Sequence, residues 1–174
     1  MFGLLKYGHI WMNIRNANAD DLPQIQAIYA YHVLHGTGSF ENIPPSLEEL
    51  NERFLANRAA GFAWVVAEGE GGILGYGYYG PFRARPAYNY TVEDSVYVRE
   101  DVRGQGVGKA LVADLVQKAQ EAGFSQMVSL IGDSENTASI GVHASLGFQH
   151  AGTMCKVGFK LDRWLDVVIM QKAL

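Results

Sequence analysis

The residues best suited to chemistry lie in one short run, Arg103-Gly104-Gln105-Gly106-Val107-Gly108-Lys109. Closely spaced glycines let the backbone approach a ligand with its N–H groups pointing outward. After the run begins, apolar residues recur at Val107, Leu111, Val112, Leu115, Val116, Ala119 and Ala122, the spacing of one helical face. The run therefore opens a helix, whose free amides and dipole form an anion site, with Arg103 and Lys109 adding charge. A phosphate or pyrophosphate is the natural guest; the bland alternative is a glycine-loosened strand-to-helix turn that binds nothing. Spacing excludes two familiar phosphate loops. A Walker A loop needs glycine at position 103 and Ser or Thr after the lysine, whereas the chain has Arg103 and Ala110. A dinucleotide fingerprint beginning at Gly104 needs its third glycine where Lys109 stands.

Upstream, residues 90–98 are rich in β-branched and aromatic types and read as a strand. Alternation puts Glu93, Ser95 and Tyr97 on one face and Val92, Val96 and Val98 on the other. A carboxylate among Val and Tyr should titrate high through desolvation, which suits Glu93 to act as a base on an ammonium, directly or through water. The bland alternative is a solvent-facing glutamate or one paired with an arginine. His143 is a second candidate, as base or as acid toward a leaving group, with an ordinary pKa near ~6.5. Arg83 and Arg85, in a proline-bounded segment, carry guanidinium forks that match a carboxylate or a phosphinate; otherwise they are a solvated surface pair. Phe40, Glu41 and Tyr88 either wall the same pocket or, for the two aromatics, belong to the core. His9, His32, His35 and His150 show no metal-ligand spacing, so no metal is expected. Cys155 lies in an expected strand outside these motifs and is not assigned as a nucleophile.

The elements that position these groups follow from pattern. Asp21 with Gln24, next to Pro23, marks a helix start with Leu22, Ile25, Ile28, Tyr29 and Val33 inward, ending near Gly36. Residues 37–41 form a loop, and Ser46-Leu47-Glu48-Glu49 opens a second helix with Leu47, Leu50, Phe54 and Leu55 inward. Strands at 62–68 and 73–79 join through Gly69-Glu70-Gly71-Gly72, and 80–89 is an irregular link. The central strand and helix end at Gly123; a strand at 125–131, a helix at 133–146 and a closing pair at 148–157 and 164–172 complete an α/β order with a mixed sheet.

The 174 residues suit one domain, taken as 12–174, with 1–11 as a leader outside the fold. A net charge of −4 argues against nucleic acid as a partner. One cysteine permits no internal disulfide and points to a reducing, cytoplasmic setting. No apolar run reaches the ~18–20 residues of a membrane span.

Arg-x-x-Gly-x-Gly between a strand and a helix resembles the pyrophosphate loop of the GCN5-related N-acetyltransferases (GNAT). Asn136, His143, Gly147 and Phe148, at offsets of 0, 7, 11 and 12, resemble that family's Asn…Tyr…Gly-Phe helix, with His143 replacing the tyrosine. Phe82-Arg83-Ala84-Arg85-Pro86-Ala87-Tyr88, Thr91-Val92-Glu93, Ser95-Val96-Tyr97-Val98 and Arg163-Trp164-Leu165-Asp166 are similar to the phosphinothricin and methionine sulfoximine N-acetyltransferases, a likeness running from about residue 14 to the C-terminus.

The resemblance implies an α/β, GNAT-type mixed, mostly antiparallel central sheet flanked by helices. It also implies acetyl-coenzyme A as co-substrate and a small amino-acid-like amine as acceptor, attacking the thioester directly. The cofactor would be held by Val96, Tyr97 and Val98, by Arg103, Gly104, Gln105, Gly106, Val107, Gly108 and Lys109, and by Asn136 and Ser145. One amide of the 96–98 segment would face the thioester oxygen. The acceptor would meet Phe40, Glu41, Arg83, Arg85 and Tyr88. Paired subunits are implied, with the segment near Trp164 contributing. Two other readings stand beside this one: acetylation of a protein N-terminus or lysine, and a non-catalytic acetyl-coenzyme A sensor.

Overall fold

A computed structural model describes the backbone of residues 5–7 and 10–174 and side chains from Trp11 onward. The strands are β1 (Leu5–Tyr7), β2 (Ile10–Asn16), β3 (Trp64–Gly69), β4 (Gly72–Pro81), β5 (Thr91–Val98), β6 (Gln126–Gly132), β7 (Gln149–Lys160) and β8 (Arg163–Ala173). The helices are α1 (Leu22–His35), α2 (Leu47–Ala59), α3 (Val107–Glu121) and α4 (Thr137–Ser145). The eight strands form one sheet in the order β1-β2-β3-β4-β5-β6-β8-β7, parallel only between β5 and β6. This is the mixed, mostly antiparallel sheet expected. Among the described residues no helix is long and apolar enough to cross a membrane.

Two cores cover the two faces. On one, Leu22, Ile25, Ile28, Tyr29 and Val33 of α1, with Leu50 and Phe54 of α2, pack on Trp64, Val66, Ile73, Tyr76 and Tyr97. On the other, Val107, Leu111, Val112, Leu115 and Ala119 of α3 pack on Val65, Leu74, Val92, Met127 and Ile131. The 3.6-residue period of α3 explains this burial, since every one of those side chains falls on one stripe. The closing hairpin turns at Leu161 and Asp162, both with positive φ (51° and 58°), the backbone of the twist-compatible two-residue turn.

Four expectations need correction. Residues Leu5–Tyr7, within the supposed leader, pair with β2, which itself begins at Ile10; the rest of that leader up to residue 9 lies outside the described residues. The first helix is entered through a single 3-10 turn, Ala19–Asp21, capped by Asn18 and not by Asp21. Asp21 instead takes both Arg15 guanidinium nitrogens at 2.8 Å, while Gln24 accepts the Ile73 N–H at 2.9 Å. Leu47 and Leu55 of α2, and Ala122 after α3, are exposed, because α2 offers the sheet only the stripe of Leu50 and Phe54.

The loop 37–41 folds back on the sheet at two glycines. A Cβ on Gly132 would collide with the Thr37 carbonyl and stand 2.9 Å from the Phe40 ring, whereas one on Gly158 would meet the Phe40 ring alone. Backbone cannot yield as an exposed aromatic ring can. Gly132→Ala should therefore cost about 1–3 kcal/mol of stability, and Gly158→Ala distinctly less. Urea unfolding of both variants checks this; equal losses would contradict the packing described.

Candidate active site

The functional geometry begins where two strands part. β5 pairs with β4 along its length, but with β6 only from Thr91 opposite Gln126 to Asp94 opposite Ser129. Both strands run on, to Val98 and to Gly132, so beyond this last rung they make a fork. Antiparallel residues send N–H and C=O alternately to one neighbour and then the other. The Arg99 N–H donates to the Leu74 carbonyl at 2.8 Å, and with Gly75 opposite Val98 this turns the main-chain groups of Glu93, Ser95 and Tyr97 toward β4. The main-chain groups of Val96 and Val98 then face the fork. The Val98 carbonyl accepts from His32 Nε2 at 2.9 Å. Burial holds the His32 pKa below its ordinary value despite that bond, and the carbonyl, which only accepts, calls for a proton on Nε2. The backbone of Tyr97, expected to hold the cofactor, is thus spent on β4, and its ring packs against Tyr29 and Tyr76.

The glycine run follows directly. Gly104 and Gly106 have φ of +73° and +89° and no neighbour where a Cβ would stand, so the backbone there is bare and left-handed. Gly106 caps α3 without a side chain, and the first intrahelical bond from this turn is the Ala110 N–H to the Gly106 carbonyl at 3.0 Å. The amides of Val107, Gly108 and Lys109 are therefore free of helix partners. Lys109 is exposed, Gln105 half-buried, and Arg103 is paired with Glu100 at 2.7 Å. Free amides in the fork and at a helix N-terminus lie on one continuous chain segment, which fits a long ligand with amide groups at one end and phosphates at the other.

On the α1–α2 face, burial pushes the Glu93 carboxyl above its ordinary range; the Arg83 charge pulls it back and Asp94 adds to the rise. Arg83 stacks over the Phe82 ring at 4.9 Å, and that ring meets Tyr88 edge-on at 5.6 Å. Arg85 and Tyr88 are exposed around a short 3-10 turn, Pro86–Tyr88. The structure thus brings Arg83 and Glu93 together and leaves Arg85 and Tyr88 at the rim. Phe40 lies against Gly132 and Gly158 at the end of the fork. Glu41 accepts from Arg53 at 2.6 Å and from the Tyr29 hydroxyl at 3.0 Å. Beside it a cavity of about 270 Å³ is lined by Tyr29, Arg53, Asn57, Trp64, Tyr76 and Tyr78. A larger one, about 380 Å³, lies between α1 and residues 98–101 and shares only Val98 with the fork.

The opposite face holds what the sequence reading missed. Asp94, 6% exposed, accepts from the Ser129 hydroxyl and faces His143 Nε2 at 3.1 Å. His143, 4% exposed, directs Nδ1 to the Ser139 carbonyl at 2.8 Å. A carbonyl only accepts, so Nδ1 carries a proton, and the other nitrogen shares one with Asp94. Burial alone would lower His143; the bond and charge of Asp94 and the Ser139 carbonyl outweigh it, and the net shift is upward. The signal for Asp94 was present as a carboxylate in the row Val92, Val96, Val98, the face that turns inward. Asn136 caps α4, accepting from Ser139 N–H at 3.2 Å, and Ser145 bonds the Val142 carbonyl of its own helix at 2.8 Å.

Comparison with known proteins agrees with this geometry. The model of the acetyltransferase (GNAT) family matches residues 25–148. The chain is 47% identical to a phosphinothricin N-acetyltransferase of Alcaligenes faecalis over 161 residues, which are 92% of this chain and 82% of that protein. It is 42% identical to an L-methionine sulfoximine/L-methionine sulfone acetyltransferase of Pseudomonas paraeruginosa, over 91% of this chain and 92% of the other. The crystal structure of a phosphinothricin acetyltransferase from Sinorhizobium meliloti in complex with AcCoA superposes with a TM-score of 0.90 at 42% identity, covering 94% of this chain and 88% of that one. Family model, relatives, fork and glycine loop agree: the chain belongs to the GNAT acetyltransferase family.

Proposed function

We propose that this chain transfers an acetyl group from acetyl-coenzyme A to the α-amino group of a small amino-acid-like acceptor of the phosphinothricin, methionine sulfoximine or methionine sulfone type. The observation that carries the reading is the fork: main-chain donors of Val96 and Val98 open beyond the last β5–β6 rung and lead straight into the glycine loop. That arrangement fits the amide-bearing arm and pyrophosphate of acetyl-coenzyme A, which when bound supplies an activated thioester.

This chain's own residues do the rest. Val107, Gly108 and Lys109 amides, with Arg103, hold the pyrophosphate. Val96 N–H, which faces the fork, would donate to the thioester oxygen as charge develops on it. Glu93, raised by burial, takes the ammonium proton from the acceptor, directly or through water. Arg83 and Arg85 attract the acceptor's anionic groups. Asn136 and Ser145, on the turn and helix after β6, flank the arm. His143 is engaged at both ring nitrogens, by the Ser139 carbonyl and by Asp94, so it serves to position the fork and not to carry a proton to the thiolate. Exposed Val157, Phe159 and Trp164 on the closing hairpin support a homodimer, and the single, exposed Cys155 suits the cytoplasm.

Release of coenzyme A thiol across a panel of amines tests the reading. Turnover should appear with methionine sulfoximine, methionine sulfone or phosphinothricin and be absent with peptide N-termini. Turnover with peptides alone would replace the acceptor, and binding of acetyl-coenzyme A without any turnover would favour a sensor. Glu93→Gln should lower kcat by about 10²–10⁴-fold and leave acetyl-coenzyme A binding intact; an unaltered pH–rate profile would remove Glu93 from the base role.

Asp94→Asn tests the buried pair through stability. A raised histidine pKa contributes stability that is complete below the unfolded value near ~6.5 and fades as pH climbs through the folded value. Breaking the pair should cost about 3 kcal/mol at pH 6, and the gap between wild type and variant should narrow at alkaline pH. A gap independent of pH would show that His143 is neutral in the folded protein.

A further inference from the structure

Lys160, the last residue of β7, is 6% exposed. Its ammonium donates to the Ser39 carbonyl at 2.5 Å and forms no ion pair among the described residues. A buried ammonium is costly without an anion, and one neutral carbonyl occupies only one of its three donors. Burial pushes its pKa down, against the opposing charge of Glu41. Glu41 acts on it only at a distance, its own carboxylate being bonded to Arg53 and the Tyr29 hydroxyl. Among the described residues no carboxylate lies within ion-pair distance of this ammonium.

Its position gives the missing anion a meaning. Ser39 belongs to the loop whose Phe40 ring lies on Gly132, the last residue of one arm of the fork, and on Gly158, close to Lys160 along β7. His32, which holds the Val98 carbonyl on the other arm, feels the Lys160 charge. Lys160 therefore stands beside the open end of the fork, on the face that carries Glu93.

We propose that Lys160 is the counter-ion of the acceptor's α-carboxylate, leaving Arg83 and Arg85 to meet the acceptor's tail. The assignment rests on the amino-acid acceptor proposed above. The α-carboxylate is common to every such acceptor and sits on the same carbon as the attacking amine, so it calls for a fixed cation within the site. A buried lysine tied to a packed loop provides one. Tails differ in length and charge, and exposed arginines on an irregular segment can follow them. On binding, the carboxylate takes up the ammonium donors that Ser39 leaves free, and charge-assisted bonds in a water-poor site are the strong ones.

The test compares methionine sulfone with its α-carboxamide, which keeps amine and tail but loses the negative charge. Wild type should favour the acid in kcat/KM by about 10- to 100-fold. Lys160→Met should abolish that preference by losing activity on the acid alone, with the KM for acetyl-coenzyme A unchanged. Lys160→Gln retains a donor for the Ser39 carbonyl without the charge, and should behave as Lys160→Met does even where the methionine variant folds poorly. Equal losses on acid and amide in both variants would make Lys160 a loop clamp only and overturn the assignment. So would a preference that survives at Lys160→Gln but vanishes at Arg83→Ala or Arg85→Ala. Wild type inactive on both compounds would instead overturn the acceptor class, and this assignment with it.

Discussion

The buried carboxylate of Asp94, held between the Ser129 hydroxyl and the His143 ring, sits at the last rung of the β5–β6 pair and ties three elements there: β5, β6 and α4. Replacing such a cluster with apolar side chains commonly costs nothing in stability, so its value lies in specifying geometry. Here the specified quantity is where two parallel strands stop pairing. Two residues further along β5, the Val96 amide opens to one side, and beyond Val98 the chain turns into the glycine loop. Site and fold share one register.

Alternation along β5 distributes the chemistry. Glu93 and Asp94 are neighbours in sequence and opposed in space, one toward α1, α2 and the loop at 37–41, the other toward α3 and α4. The first face carries the desolvated carboxylate of Glu93 and the buried Lys160. The second offers only a sealed charge pair and apolar packing.

The parts legible in the sequence are those whose signal is local. The glycine loop and α3 carry both their turn chemistry and their period within a few residues, and the desolvated setting of Glu93 could be read from its immediate neighbours. Other features depend on partners far along the chain. Arg15 bridges Asp21 and Glu68, which moves the helix cap back to Asn18, and no pattern near Asp21 foretells Glu68. Whether Tyr97 offers its backbone to a ligand is decided by the register with β4. Asp94 and His143 are separated by 49 residues, so a carboxylate among valines could be seen but its partner could not. Leu47 and Leu55 followed the helical period of α2 and were still left outside, because the sheet beneath is covered by Leu50 and Phe54.

The fork also bears on how the protein keeps its shape. A sheet that parts before its strands end exposes main-chain donors and acceptors along two inner edges, and such edges recruit strands from other molecules. A ligand whose amides occupy them acts as a surrogate strand. Binding only to the folded chain, it raises stability with its concentration, by about 2.7 kcal/mol at a hundredfold excess over Kd. The acetyl donor would then be a folding chaperone as well as a reagent, and a cell short of it would hold less of the enzyme in soluble form.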